Sequence, residues 1–371
     1  MPAEQILAIT GLQFIQINTL YQLMAMKKSH GKILEAADCL LLMPDWIHWA
    51  LCGSRAAEFT IASTTQCMNI RKRKWAIDML GKFGLPARIF PKIIMPGTKL
   101  GVLRRSLAEK TSLRKVQVIA PPSHDTACAV AAVPTQNTGS PNWAYISSGT
   151  WSLMGIEMHQ PTLSPRAREL NLTNEGGVDG TYRLLRNIMG LWLVQQCKRA
   201  FDAKWNYAEL TRMAARCEPL RSLVDPDDAR FFNPPDMPEA IQEFSRQTKQ
   251  PIPKTPGELI RCAYESLALK YRQVLGHLEE LGGHRIEVIH IVGGGSQSKM
   301  LNQFTADACQ RPVIAGPVEA TAMGNILVQV RASGRIGSLA QMREVVRKSC
   351  KLVRYEPKNN SAWREASQRI N

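Results

Sequence analysis

The eight residues SHDTACAV, Ser123 to Val130, set a hydroxyl, an imidazole and a carboxylate side by side, the groups of a serine-type relay. They follow a short β-rich run, KVQVIAPP, and read as the start of a helix of small residues. Neighbouring side chains on a helix diverge by about 100°, so these three cannot form the line of hydrogen bonds a relay needs. What remains is Asp125 in the first turn of a helix, at the end of a strand. A carboxylate at the carboxyl edge of a parallel sheet stands where α/β proteins bind ligands, and there it could accept a hydroxyl proton during phosphoryl transfer. Ser123 or Asp125 simply capping the helix explains the same residues.

Two glycine-bearing turns carry complementary chemistry. NWAYISSGTWSLMGIEM reads as two strands flanking a turn, and SSGT, Ser147 to Thr150, offers hydroxyls and backbone N–H groups that can wrap a phosphate. A plain tight turn uses the same residue types. VGGGS, Val292 to Ser296, follows the apolar strand IEVIHIV and opens a helix, whose free N–H groups suit an anion. It is neither a Walker loop nor GxGxxG, and a tight strand-to-helix turn would look alike. LLRNIMGLWLVQQ, Leu184 to Gln196, begins a helix with Asn187 near its start, the usual place of a cap, and Gln195 at its solvent edge.

Other elements must hold these groups in place. Residues 10–90 read as mainly helical. NTLYQLMAMKK opens on Asn18, able to cap it, and closes on lysines at the negative end of the helix dipole. MPDWIHWALCG spaces Trp46 and Trp49 one turn apart and stops at Gly53, whereas FPKIIMPGTKLG, punctuated by Pro and Gly, reads as an extended linker. The clearest helix is TPGELIRCAYESLALKYRQVLGHLEELGG, with Thr255 as N-cap, Pro256 first, Glu258 closing a capping box and Gly282 and Gly283 ending it. Its apolar face runs through Ile260, Ala263, Leu267, Tyr271, Val274, Leu278 and Leu281. Helix, strand IEVIHIV, glycine turn, helix and strand PVIAG in succession are α/β grammar. A hinge falls at residues 131–142, where AVPTQNTGSPN is small, polar and Pro-bearing.

Composition narrows the partners. The chain has 371 residues, enough for two domains, with 44% hydrophobic and 21% charged residues, the balance of a soluble globular protein. No run approaches a membrane span and no leader is evident, which points to the cytosol. Nine cysteines without a CxxC pair read as reduced, mostly packed thiols, not as a disulfide frame or zinc site. The net charge of +16 favours anionic partners. Its densest run, Arg71 to Lys74, does not recur with interleaved aromatics, so it reads as a solvated loop and nucleic acid as the last choice of partner.

These segments resemble one family. GLQFIQINTLYQL, CLLLMPDWIHWALCG, PPSHDTACAV, YISSGTWSLMG, LTNEGGVDGTYRLLRNIMGLWL, DPDDARFFNP and HIVGGGSQSKMLNQFTADACQRPVIAGPVEATAMGN are similar, in order and at compatible separations, to the rhamnulokinases. Those are FGGY-type carbohydrate kinases of the actin-like ATPase superfamily. The likeness runs from about residue 10 to 355, with Met300 where the family has a leucine. It implies an α/β, two-domain, ribonuclease H-like fold: residues 1–131 as the remainder of a sugar-kinase domain, 142–335 as a nucleotide-binding domain and 336–371 as a helical tail. It implies transfer of a phosphoryl group from MgATP to the C1 hydroxyl of L-rhamnulose. Carried over residue by residue, Asp125 is the base, His124, Thr126 and Asn187 contact the sugar, and Thr150, Gln195 and Gly294 contact ATP. No residue is assigned to Mg²⁺. The alternatives are another FGGY sugar kinase, of fuculose or xylulose type, or a binding remnant without turnover.

The family begins with a hundred or more further residues that carry a first phosphate hairpin, and MPAEQILAIT holds no glycine turn in its place. The expectation is a first domain incomplete at its front and a chain that, expressed alone, is poorly soluble or inactive as a kinase. A purified chain turning over rhamnulose and ATP at an ordinary enzymatic rate would refute that expectation.

Overall fold

Thr255 accepts the Glu258 N–H while the Glu258 side chain accepts the Thr255 N–H, Pro256 occupies the first turn, and Gly283 closes the helix at φ 72°. The resulting 27-residue helix, Pro256–Gly282, is therefore fixed at both ends by local chemistry. Ile260, Ala263, Leu267, Tyr271, Val274 and Leu278 on its apolar face are all buried, and only Leu281 is half-exposed. The computed structural model describes residues 1–202, 204–358 and 361–369. No helix among them is long and apolar enough to cross a membrane.

The chain forms two compact units that are not contiguous in sequence. One comprises Met1–Gly139, Ile156–Leu185 and Ala320–Ser349; the other comprises Ser140–Gly155, Arg186–Glu319 and Cys350–Asn371.

The second unit is built on the strand order Val353–Tyr355, Val313–Ala315, Val288–Val292, Trp143–Ser148, Ser152–Met158. Val288–Val292 pairs in parallel with both of its neighbours, and Trp143–Ser148 and Ser152–Met158 form the hairpin expected from alternation. Ile289, Ile291 and Val292 are buried, as a strand covered on both faces requires. The glycine turn opens first a short 3-10 turn, Gly294–Gln297, and then the helix Lys299–Cys309.

The first unit packs the helix Thr19–Ala36 through Leu20, Leu23 and Leu34 onto Cys67, Met79, Leu80 and Ile89. A second cluster joins Ala57, Phe59, Ala62, Met68 and Ile70 to Tyr182. Several expectations change here. Asn18 precedes its helix but does not cap it; its amide donates to the Gln13 carbonyl and to Gln66 Oε1. That helix continues past the lysines to Ala36, with non-helical backbone at His30. FPKIIMPGTKLG is not a linker: Lys92–Ile94 pairs in parallel with Ala56–Glu58, and Lys99–Val102 pairs antiparallel with Gln117–Ile119. In the basic run only Arg71, Lys72 and Lys74 are exposed. Arg73 donates to the Tyr182 hydroxyl and the Gly180 carbonyl and lies over the Phe59 and Tyr182 rings. A guanidinium over aromatic faces is attracted by the ring quadrupoles. No disulfide links any of the nine cysteines, and Cys67, Cys128, Cys197, Cys262 and Cys309 are buried.

The helix Asp125–Ala131 lies against Ala320–Ala332, with Gly324 close against the Cys128 backbone. A Cβ there would collide with the Cys128 carbonyl, whose carbon would stand 2.6 Å away. Backbone cannot yield as a flexible side chain can, so Gly324→Ala should destabilise the chain by about 1–3 kcal/mol in urea unfolding. An unchanged midpoint would show that the two helices are not held at this distance.

Candidate functional site

Asp125 begins its helix with its side chain 77% exposed. Neither Ser123 nor Asp125 caps that helix. The cap position is His124, without a side-chain cap bond; the Ser123 hydroxyl donates to the Pro121 carbonyl, and Asp125 Oδ1 accepts the Thr126 N–H at 2.6 Å. The carboxylate thus points outward with its second oxygen uncommitted to the helix.

His124 links this exposed group to a buried ion pair. Its Nε2 lies 3.4 Å from Asp125 Oδ1, and its Nδ1 lies 3.2 Å from Glu175 Oε2 and 3.0 Å from Arg183 Nη2. Arg183 and Glu175, both buried, meet at 3.0 Å, and Arg183 Nε also donates to the Gly176 carbonyl. Burial alone would push the Glu175 carboxyl up; Arg183 and His124 outweigh it and hold the group below its ordinary value. Thr126 is buried directly after the carboxylate it bonds.

Beneath these residues sit two further buried carboxyls. Asp45 Oδ1 accepts the Glu58 N–H at 3.0 Å, and Glu58 Oε2 accepts from Thr60 N, Thr60 Oγ1, Ile61 N and Ser123 N. Burial pushes Asp45 up to about 7, partly offset by the Glu58 N–H and increased again by the neighbouring Glu58 charge. Glu58 carries no motif in the sequence, only a carboxylate set within AAEFTIASTT among small and hydroxyl side chains; Asp45 falls within the resembling segment CLLLMPDWIHWALCG, which by itself gives it no role.

In the second unit the sheet register does the positioning. Ser147 pairs with Val292, so the SSGT turn and the glycine turn leave neighbouring strands at the same level. Gly293 takes φ 84°, and a Cβ on Gly295 would collide with the Ser148 side chain, 2.6 Å from its Cβ. Only glycine lets the two turns touch in this way. On the other side of the hairpin, Leu191 N–H and Trp192 N–H donate to the Gly149 and Thr150 carbonyls, both at 3.1 Å. The helix Trp192–Ala200, which carries Gln195, therefore starts on the SSGT turn itself. Thr150, Gln195 and Gly294 all lie in this unit, with Thr150 and Gly294 exposed and Gln195 half-buried.

Asn187 departs from the sequence reading. It lies in the strand Tyr182–Ile188, not at a helix start, because Tyr182 to Leu185 pair with Gly176 to Thr173. Beside it, Arg186 bonds Asp227 at 2.9 Å, and Asp227 also accepts the Met189 N–H. The buried Lys270 reaches Asp225 at 2.8 Å and Asp227 at 3.2 Å, so the DPDD segment locks the end of this strand.

A model of the N-terminal domain of the FGGY family of carbohydrate kinases matches residues 1–132, and the model of that family's C-terminal domain matches residues 144–333. A ligand-bound xylulose kinase from Lactobacillus acidophilus superposes with a TM-score of 0.80 at 14% identity, covering 99% of this chain and 73% of that one. The architecture is that of the actin-like ATPases. The rhamnulokinase of Bacteroides thetaiotaomicron is 45% identical over 95% of this chain and 72% of its own length; that of Pectobacterium carotovorum is 46% identical over 96% and 70%. The chain belongs to the FGGY family of carbohydrate kinases, among its rhamnulokinases.

Asp45 gives a pH signature. A carboxyl whose value rises on folding stabilises most below its ordinary 3.8, and that contribution is lost as pH rises through about 7. Asp45→Asn keeps an oxygen for the Glu58 N–H but cannot ionise. Relative to this variant, the unmodified chain should lose on the order of a few kcal/mol of unfolding free energy between pH 4 and 8. Parallel pH profiles in urea unfolding would contradict the assignment.

Proposed function

We propose that this chain transfers the γ-phosphoryl group of MgATP to the C1 hydroxyl of L-rhamnulose, yielding L-rhamnulose 1-phosphate and ADP. The observation that carries the reading is Asp125: an exposed carboxylate on a helix start whose surroundings are otherwise buried and bonded. In phosphoryl transfer the protein's part is to position the reactants and stabilise charge, and a carboxylate that receives the attacking hydroxyl's proton completes the set. Identity of 45% and 46% to two rhamnulokinases supports rhamnulose over other ketoses.

The roles follow from residue type and place. Asp125 accepts the proton of the C1 hydroxyl as the O–P bond forms. His124, Thr126 and Asn187 contact the sugar. Thr150 and Gly294 present exposed turns to the nucleotide's phosphates, and Gln195 supports it from the helix that starts on the SSGT turn. The fit to a triphosphate lies in the two turns, whose backbone amides can line a concavity for an anion. No residue of this chain is assigned to Mg²⁺, which would be carried by the nucleotide. Bound in that way, it would neutralise charge on the transferring group. We place the reaction in the cytosol, where cysteines remain reduced.

The test is a comparison of ketoses. ADP release with L-rhamnulose should exceed that with L-fuculose or D-xylulose by about tenfold or more in kcat/KM. Asp125→Asn should lower the rate by about 10²- to 10⁴-fold while leaving ATP affinity, measured by calorimetry, within about twofold. A variant that keeps its rate would remove Asp125 from the reaction, and preference for another ketose would reassign the sugar.

A further inference from the structure

We propose that Glu58 is the positioning residue for Asp125, holding the backbone that enters its helix; the inference rests on the kinase reading above. The helix Asp125–Ala131 has seven residues and no side-chain cap, too short to fix its own first turn. Its entry is held from outside. Ser123 N–H donates to Glu58 Oε2 at 2.9 Å, and the next amide, His124 N–H, donates to Thr60 Oγ1 at 3.1 Å. The Thr60 hydroxyl in turn donates to the same Glu58 oxygen at 2.5 Å. One carboxylate oxygen thereby secures both consecutive amides that precede Asp125, one directly and one through a threonine.

The anchor itself is built into the core. Glu58 is fully buried, ends the strand Ala56–Glu58 paired in register with Lys92–Ile94, and has its N–H on Asp45 Oδ1. Its other oxygen, Oε1, is buried with no hydrogen-bond partner. A buried oxygen without a partner is costly, and burial correspondingly pushes the carboxyl up against the pull of its Thr60, Ser123 and Ile61 donors. Glutamine at this position retains the accepting oxygen without a charge to bury, whereas alanine leaves four donors unsatisfied. Glu58 and Thr60 hold the two amides immediately before Asp125, so a shift of the 123–124 segment moves the carboxylate directly.

Steady-state kinetics and amide exchange on Glu58→Ala and Glu58→Gln test this in the full chain. Glu58→Ala should lower kcat for L-rhamnulose by about 10- to 100-fold with the KM for ATP within about twofold, since a small displacement of a reacting group costs rate more than binding. Exchange across residues 121–127 should quicken by about tenfold while residues 147–151 are unchanged. Glu58→Gln should recover most of both. If Glu58→Ala leaves kcat and local exchange unaltered, or loosens the whole chain with kcat and KM failing together, Glu58 is not a positioning residue. Should the unmodified chain phosphorylate no ketose, the kinase reading fails by that result, and the exchange pattern alone decides whether Glu58 anchors the segment.

Discussion

Parallel pairing of Val288–Val292 with Trp143–Ser148 is the constraint on which the proposed nucleotide site depends. Because the ladder ends with Ser147 opposite Val292, two turns of different sequence leave the sheet together. Everything further along is a consequence of that level: glycine is required where the turns touch, and the Thr150 carbonyl becomes the acceptor for the first amide of the Gln195 helix. A slip of one residue would reverse the faces of the strand and separate the turns. The buried Ile289, Ile291, Ala144 and Ile146 make such a slip expensive, so packing of the sheet and geometry of the loops are the same fact seen twice.

The proposed sugar site around Asp125 is organised by charge rather than by register. Asp125 is exposed, yet its surroundings contain four buried ionisable groups: Glu58 and Asp45 below, Glu175 and Arg183 behind His124. The second pair is compensated, with Arg183 holding Glu175 ionised. The first is not, and both carboxyls rise. Retaining such groups costs stability, and sites that position reacting atoms are where proteins carry that cost.

Local chemistry was readable and tertiary chemistry was not. The capping box at Thr255 and Glu258, the alternation around SSGT and the apolar strand before GGG each declare themselves within a few residues, and the structure has all three. Asn187 was misplaced because LLRNI looks the same in a helix or a strand until its partner, Thr173 to Gly176, is known. Arg73 resembled a solvated charge because the rings that receive it belong to Phe59 and to Tyr182, far along the chain. Lys92–Ile94 and Lys99–Val102 pair with segments well away from them, which Pro and Gly punctuation cannot reveal. Of the candidate site, Asp125, Thr150 and Gly294 could be named from motif and resemblance. Glu58, Asp45 and Glu175 could not, since their significance lies in what donates to them.

The most direct test of the central claim, that the SSGT and GGG turns together form the nucleotide's phosphate site, is amide exchange with and without ATP. Protection should concentrate at Gly149–Thr150 and Gly293–Gly295, with the start of the Trp192–Ala200 helix following. ATP that binds while leaving those amides unprotected, and protects a different segment, would contradict the account.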